Sequence, residues 1–177
     1  LADTFLKPEQ LLGIERFYPL RVLLCKNCGY ATLAYIVPTG ERYVENDYSY
    51  TTSNSQVALG HFQKMADEVA DRANLSVNDL VVDIGSNDGT LLEMFRKKAG
   101  CKIIGVEPSS NIMRLAKEHH IPTIQRFFDS EAVHEILRQN QAKLITATNV
   151  FNHITDINNF MKNIKELLAD DGMFVFE

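Results

Sequence analysis

The chain has 177 residues, 45% of them hydrophobic and 23% charged, and carries a formal net charge of −5 at pH 7. That balance belongs to a folded globular protein and excludes disordered, collagen-like and fibrous classes. With its one basic cluster, residues 96–98, at an expected helix end, the acidic chain also lacks the concentrated positive surface that a nucleic-acid partner requires.

Residues 1–50 hold three of the five prolines, the pair Cys25 and Cys28 in "LLCKNCGY", and the short apolar runs "RVLL" and "YATLAYIV". Short strands around turns are predicted there, forming a small β-rich module. From "TTSNS" onward, Leu59, Phe62, Ala66, Val69 and Ala73 recur at helical spacing, with Ser53 or Ser55 as N-cap. A connecting helix is thus predicted within residues 51–75.

Residues 76–177 alternate strand-like and helix-like segments: "DLVVDI", 88–99, "KIIGVE", 109–119, "PTIQ", 130–139, "AKLITATNV", 156–168 and "GMFVFE". Five strands with four intervening helices predict an α/β domain, a Rossmann-like parallel sheet covered by helices on both faces. No apolar run reaches the roughly 20 residues that span a bilayer, and no secretory leader pattern opens the chain. The expectation is a cytoplasmic protein without a membrane partner. The chain starts at Leu1, and "GMFVFE" reads as a strand still running at its end, so a piece of a longer polypeptide is expected.

In open parallel sheets ligands bind beyond the carboxyl ends of the strands. "DIGSNDG" occupies that position after the first strand of the sheet. Gly85 supplies a conformation closed to other residues, and Gly89 lets the following helix start close against the sheet. A dinucleotide fingerprint would place glycine at 85, 87 and 90, whereas Asn87 and Thr90 stand at the second and third, which disfavours a pyrophosphate. The Gly-Lys-Ser/Thr ending of a P-loop is missing too.

Glu107 closes the next strand in "GVEPSS", at the spacing where an acidic side chain grips ribose hydroxyls, with Pro108 beside it. A ribose without a pyrophosphate, next to an amino-acid end at a helix N-terminus, describes S-adenosylmethionine. Asp83 and Asp88 are candidates for its ammonium group, and Ser86 and Asn87 complete the turn. Phe127 and Phe128, after the third strand, are candidates to flank adenine, and Asn149, after the fourth, to bond the methionyl part. Each has a structural alternative: Asp83 pairing with backbone, Glu107 capping the next turn, the phenylalanines packing in the core.

Taken together, "FYPLRVLLCKNCG", "DYSYTTSNS" followed by "HF", "DIGSNDGTLL", "GVEPSSN", "NVFNHITD" and "FVFE" resemble the S-adenosylmethionine-dependent C-methyltransferases of nucleotide-linked deoxy sugars. The resemblance implies a class I methyltransferase fold, a sugar nucleotide as small-molecule partner, and an N-terminal zinc module with two Cys pairs. Only one such pair, Cys25 and Cys28, is present, and Cys101 at the edge of the second strand reads as a buried thiol, so the other two structural zinc ligands are expected outside this chain. Read without the resemblance, the spacing leaves zinc ligation open beside two free thiols at a hairpin corner and a redox couple. The resemblance also implies that the segment supplying the base follows Glu177. Tyr48 and Tyr50 are its substrate-side candidates, and His153 follows the fourth strand as a further catalytic candidate.

The reaction so implied adds a methyl group to a carbon next to a ketone through an enolate, which needs a base and hydrogen-bond donors. Two other readings stand beside it: O- or N-methylation of another small molecule, and a non-catalytic nucleotide-binding module.

Overall fold

The computed structural model describes residues 8–14, 17–45 and 47–177. It divides into two compact units, Leu1–Tyr50 and Thr51–Glu177.

In the first unit, β1 (Val22–Leu24) and β2 (Ala31–Leu33) form an antiparallel hairpin with Val22 opposite Leu33 and Leu24 opposite Ala31. The connecting turn carries both cysteines. The Cys25 N–H donates to the Tyr30 carbonyl at 2.8 Å and the Gly29 N–H to the Cys25 carbonyl at 2.9 Å. Gly29 has φ +75°, a conformation glycine adopts without penalty. A short helix, α1 (Thr39–Tyr43), follows. Its Glu41 is buried and accepts a hydrogen bond from the Tyr18 hydroxyl.

The second unit opens with α2 (Gln56–Arg72). Of the two N-cap candidates, Ser55 takes the role, its hydroxyl accepting the Ala58 N–H at 3.2 Å. Then come β3 (Leu80–Ile84), α3 (Thr90–Ala99), β4 (Lys102–Val106), α4 (Ser110–Glu118), β5 (Thr123–Ile124), α5 (Ser130–Leu137), β6 (Ala142–Ala147), α6 (Ile157–Leu167) and β7 (Leu168–Phe176). The sheet order is β5-β4-β3-β6-β7, and every neighbouring pair is parallel. This is the Rossmann-like architecture predicted from the alternation of strand and helix patterns.

Strand period 2 sorts the core into two layers. Leu80, Val82, Ile84, Ile104, Val106, Ile145 and Ala147 pack with Val133 and Ile136 of α5 and Phe160 and Ile164 of α6. Val81, Ile103 and Leu144 face the other way, onto Phe62, Ala66 and Val69 of α2 and Leu91, Leu92 and Phe95 of α3. Burial of both faces explains why β3 reads as a nearly continuous apolar run. The exception in that run is Asp83.

β7 departs from expectation. It begins directly after α6 at Leu168, not at Gly172, and its register on β6 shifts between Ala142 and Leu144. A Cβ on Gly172 would meet the Leu168 side chain at 2.8 Å and the Ala169 carbonyl at 2.9 Å, so the irregularity is packed tightly enough to require glycine.

Candidate active site

At the carboxyl end of the sheet, on the α2/α3 face, Asp83 sits in register with Thr146 of β6 on one side and Gly105 of β4 on the other. The Thr146 hydroxyl donates to the Asp83 carboxyl at 2.6 Å, and both side chains are buried. Burial pushes the Asp83 pKa up to about 7, with the negative Glu107 adding to the rise and the Thr146 hydrogen bond opposing it. Gly105 is required by its neighbour: a Cβ there would lie 2.3 Å from the Ser86 Oγ. That Ser86 hydroxyl is buried and finds no hydrogen-bond partner among the described residues.

Beyond Asp83 the chain turns through three left-handed residues, Gly85 at φ +67°, Asn87 at φ +52° and Gly89 at φ +79°. A Cβ on Gly85 would strike Val150 at 2.4 Å, and one on Gly89 would strike Ile121 at 2.5 Å, so both positions combine a glycine conformation with a close approach. Asn87 bears the same backbone strain with a side chain, as asparagine does more readily than most residues.

Glu107 is nearly buried, and its carboxylate joins two parts of the site. One oxygen accepts the Asn87 N–H at 3.1 Å and the other the Ser109 N–H at 2.9 Å. Burial raises its pKa despite those donors. Each carboxylate oxygen has capacity for a second donor. Asp88 is wholly buried, with one oxygen accepting the Ser53 N–H at 3.0 Å and the other the N–H and hydroxyl of Thr90, at 3.2 and 2.6 Å. Burial opposes its ionisation, but these donors outweigh it and hold the carboxyl below its ordinary pKa.

The other candidates are placed as follows. Pro108 is half-buried next to Glu107. Phe127 is 39% exposed, whereas Phe128 packs against the core, its ring 5.4 Å from that of Phe160. Asn149 is exposed in the turn after β6, at φ +56°, and its N–H donates to the Glu177 carbonyl at 3.0 Å. His153 is exposed in the 3₁₀ turn Phe151–His153. Tyr48 and Tyr50 belong to the first unit, where the Tyr48 ring lies 5.5 Å from Tyr43. Thr146, Gly105 and the amides of Thr52 and Ser53 entered the site without being singled out in the sequence.

Cys25 and Cys28 are exposed in the hairpin turn. Hydrogen bonds from the backbone of Cys28 and Asn27 lower the Cys25 pKa, which favours the thiolate that a metal needs. Two thiols are half of a tetrahedral zinc set, and among the described residues no group of three or more His, Cys, Asp or Glu could hold a metal ion. No helix among them is long and apolar enough to cross a membrane.

A family model described as "Methyltransferase domain" matches residues 58–177, and one described as "Putative zinc binding domain" matches residues 1–43. The chain is 34% identical to the C-methyltransferase NovU of Streptomyces niveus across 100% of its own length and 42% of that protein. It is 30% identical to the ubiquinone biosynthesis O-methyltransferase of Bradyrhizobium diazoefficiens, over 66% of this chain and 48% of that one. The chain thus spans less than half the length of these relatives.

Among solved structures it resembles DesVI of Streptomyces venezuelae, with a TM-score of 0.52 at 18% identity over 67% of this chain and 50% of that one. It also resembles the plantazolicin methyltransferase BpumL in complex with SAH, with a TM-score of 0.59 at 16% identity over 70% and 49%. At such identities the likeness is one of fold. Residues 58–177 contain all five strands of the parallel sheet and the turn from Asp83 to Gly89, and over that span the chain belongs to the methyltransferase-domain family.

Proposed function

We propose that this chain is the cofactor-binding part of an S-adenosylmethionine-dependent C-methyltransferase acting on a nucleoside-diphosphate-linked keto deoxy sugar. The observation that carries the reading is the match to a C-methyltransferase along the whole chain, including the Cys25–Cys28 unit, whereas the O-methyltransferase match covers 66% of it.

The residues fit the cofactor. Glu107 would receive the ribose hydroxyls on its remaining lone pairs, and the orphaned Ser86 hydroxyl offers a polar partner close by. Asp83 would face the ammonium group, with Gly85, Ser86, Asn87, Asp88 and Gly89 forming the turn around the methionyl part. Pro108, Phe127 and Phe128 would border the adenine, and Asn149 the methionyl end. The partly exposed Phe127 is better placed to stack on a base than Phe128, which is committed to Phe160. Bound there, the cofactor supplies an electrophilic methyl group on a sulfonium.

On the substrate side, a base removes the proton next to the ketone and hydrogen-bond donors hold the enolate oxygen. The enolate carbon takes the methyl group and the sulfonium leaves as the neutral thioether, which balances the charge. Tyr48, Tyr50 and His153 are the proposed donors in this chain. Cys25 and Cys28 are proposed as half of a structural zinc site completed by two ligands beyond it.

The test incubates the protein with methyl-labelled cofactor and a panel of keto sugar nucleotides and locates the label by NMR. A new carbon-bound methyl group next to the ketone is expected. Label on oxygen or nitrogen would favour the O- or N-methyltransferase reading.

A further inference from the structure

Two consecutive backbone amides ahead of α2 are held by two consecutive side chains of the glycine turn. The Thr52 N–H donates to the Asn87 side-chain oxygen and the Ser53 N–H to the Asp88 carboxylate, both at 3.0 Å. Thr52 is buried, and Ser55 fixes the far end of the segment by capping α2. At the near end Thr51 is joined by one peptide bond to Tyr50. The residue choice at 87 fits this use: a left-handed φ of +52° is what glycine takes most readily, yet the position keeps a side chain whose oxygen reaches Thr52.

The clasp continues into the cofactor-side carboxylate. The same Asn87 that holds Thr52 gives its own N–H to Glu107, whose second oxygen holds the Ser109 N–H. A ligand hydroxyl that orders Glu107 therefore orders the Asn87 peptide and, through its side chain, residues 51–55.

We propose that Asn87 and Asp88 are positioning residues that clasp residues 51–55 to the glycine turn, so that cofactor occupancy orders the segment ahead of α2. The inference rests on the S-adenosylmethionine reading and adds to it a conformational response of residues 51–55 to the cofactor.

Hydrogen–deuterium exchange on the whole chain tests this, with and without saturating S-adenosylhomocysteine, in wild type, Asn87→Gly and Thr52→Pro. Asn87→Gly removes the clasping oxygen while easing the backbone strain. Thr52→Pro removes the clasped N–H at the first position of a 3₁₀ turn that follows an extended residue, where proline fits. In wild type the ligand is expected to slow exchange across 51–55 by roughly fivefold or more, as it does at 85–89. In Thr52→Pro, which leaves every residue of the turn in place, the ligand still protects 85–89 but its effect on 51–55 is lost; Asn87→Gly, measured at its own saturating ligand concentration, loses the same effect on 51–55.

A merely structural clasp would instead speed exchange of 51–55 in the variants and leave the ratio between ligand-bound and free protein unchanged. That outcome overturns the inference, as does a wild type that binds the ligand without protecting 51–55. A wild type that fails to bind the ligand at all sinks the cofactor reading and this inference together.

Discussion

The backbone N–H of Asn87 reaches across 20 residues of sequence to one carboxylate oxygen of Glu107, at 3.1 Å. The contact ties the glycine turn after β3 to the end of β4, so the carboxylate proposed to hold the ribose also braces the turn. Glu107→Gln keeps the side chain's size but turns an NH₂ group toward one of the two amides. Charge-assisted hydrogen bonds contribute roughly 1.5–3 kcal/mol each, so S-adenosylhomocysteine affinity should fall on the order of tenfold to a hundredfold. Calorimetry on the two proteins, with thermal unfolding as the control for folding, measures the effect.

Asp83 makes stability depend on pH. Its folded pKa of about 7 lies above the ordinary value of 3.8, so the native state binds the proton more tightly than the unfolded chain. The stabilisation is complete below about pH 4 and is lost as pH rises toward and through 7. Asp83→Asn, which cannot ionise, should therefore be more stable than wild type at pH 8 by up to a few kcal/mol, with the gap closing toward pH 5. Denaturant titrations at several pH values would reveal a flat difference if Asp83 does not titrate in this window.

If Asp83 also faces the cofactor's ammonium group, that positive charge lowers its pKa on binding. Near pH 7, where about half of the free protein carries the Asp83 proton, binding should then release up to about half a proton per ligand, and affinity should rise between pH 6 and pH 8. Calorimetry in buffers of different ionisation enthalpy counts the proton directly, and a count of zero removes the ammonium from Asp83.

Gly89→Ala should destabilise the second unit. The new Cβ meets Cγ1, Cγ2 and Cβ of buried Ile121 within 2.5–2.9 Å, and φ is +79°. Overpacking of this kind costs about 1–3 kcal/mol, and the left-handed conformation adds to it. Ser55→Ala, by contrast, removes only the cap of α2, about 1 kcal/mol. A smaller loss in denaturant for Gly89→Ala than for Ser55→Ala would contradict the close packing assigned to the turn.

Much of this fold was legible because local pattern and tertiary environment agree. The apolar stripes of α2, α4 and α6 and the buried run of β3 each point to one element type. The early start of β7 was hidden because Leu168 continues the helical stripe of α6 and Asp170, Asp171 and Gly172 read as a turn, whereas pairing with β6 decides their state. At the site, Asp83, the two glycines and Glu107 stood out as polar or flexible residues at strand ends.

The Thr146 partner of Asp83 lies 63 residues away, and the Asn87–Thr52 contact spans 35. Contacts at such separations leave no periodic trace in sequence. The neighbouring phenylalanines illustrate the same limit: one packs on Phe160 while the other stays partly exposed, a division that only the tertiary structure makes.

The central claim is that the carboxyl end of the sheet, at Asp83, the glycine turn and Glu107, receives an adenosyl amino acid. Equilibrium dialysis of this chain against labelled S-adenosylhomocysteine tests it most directly. The account predicts saturable binding of one molecule per chain, competed by unlabelled S-adenosylmethionine and not by NAD. Absence of retention at millimolar ligand, or retention that NAD displaces equally well, would contradict it.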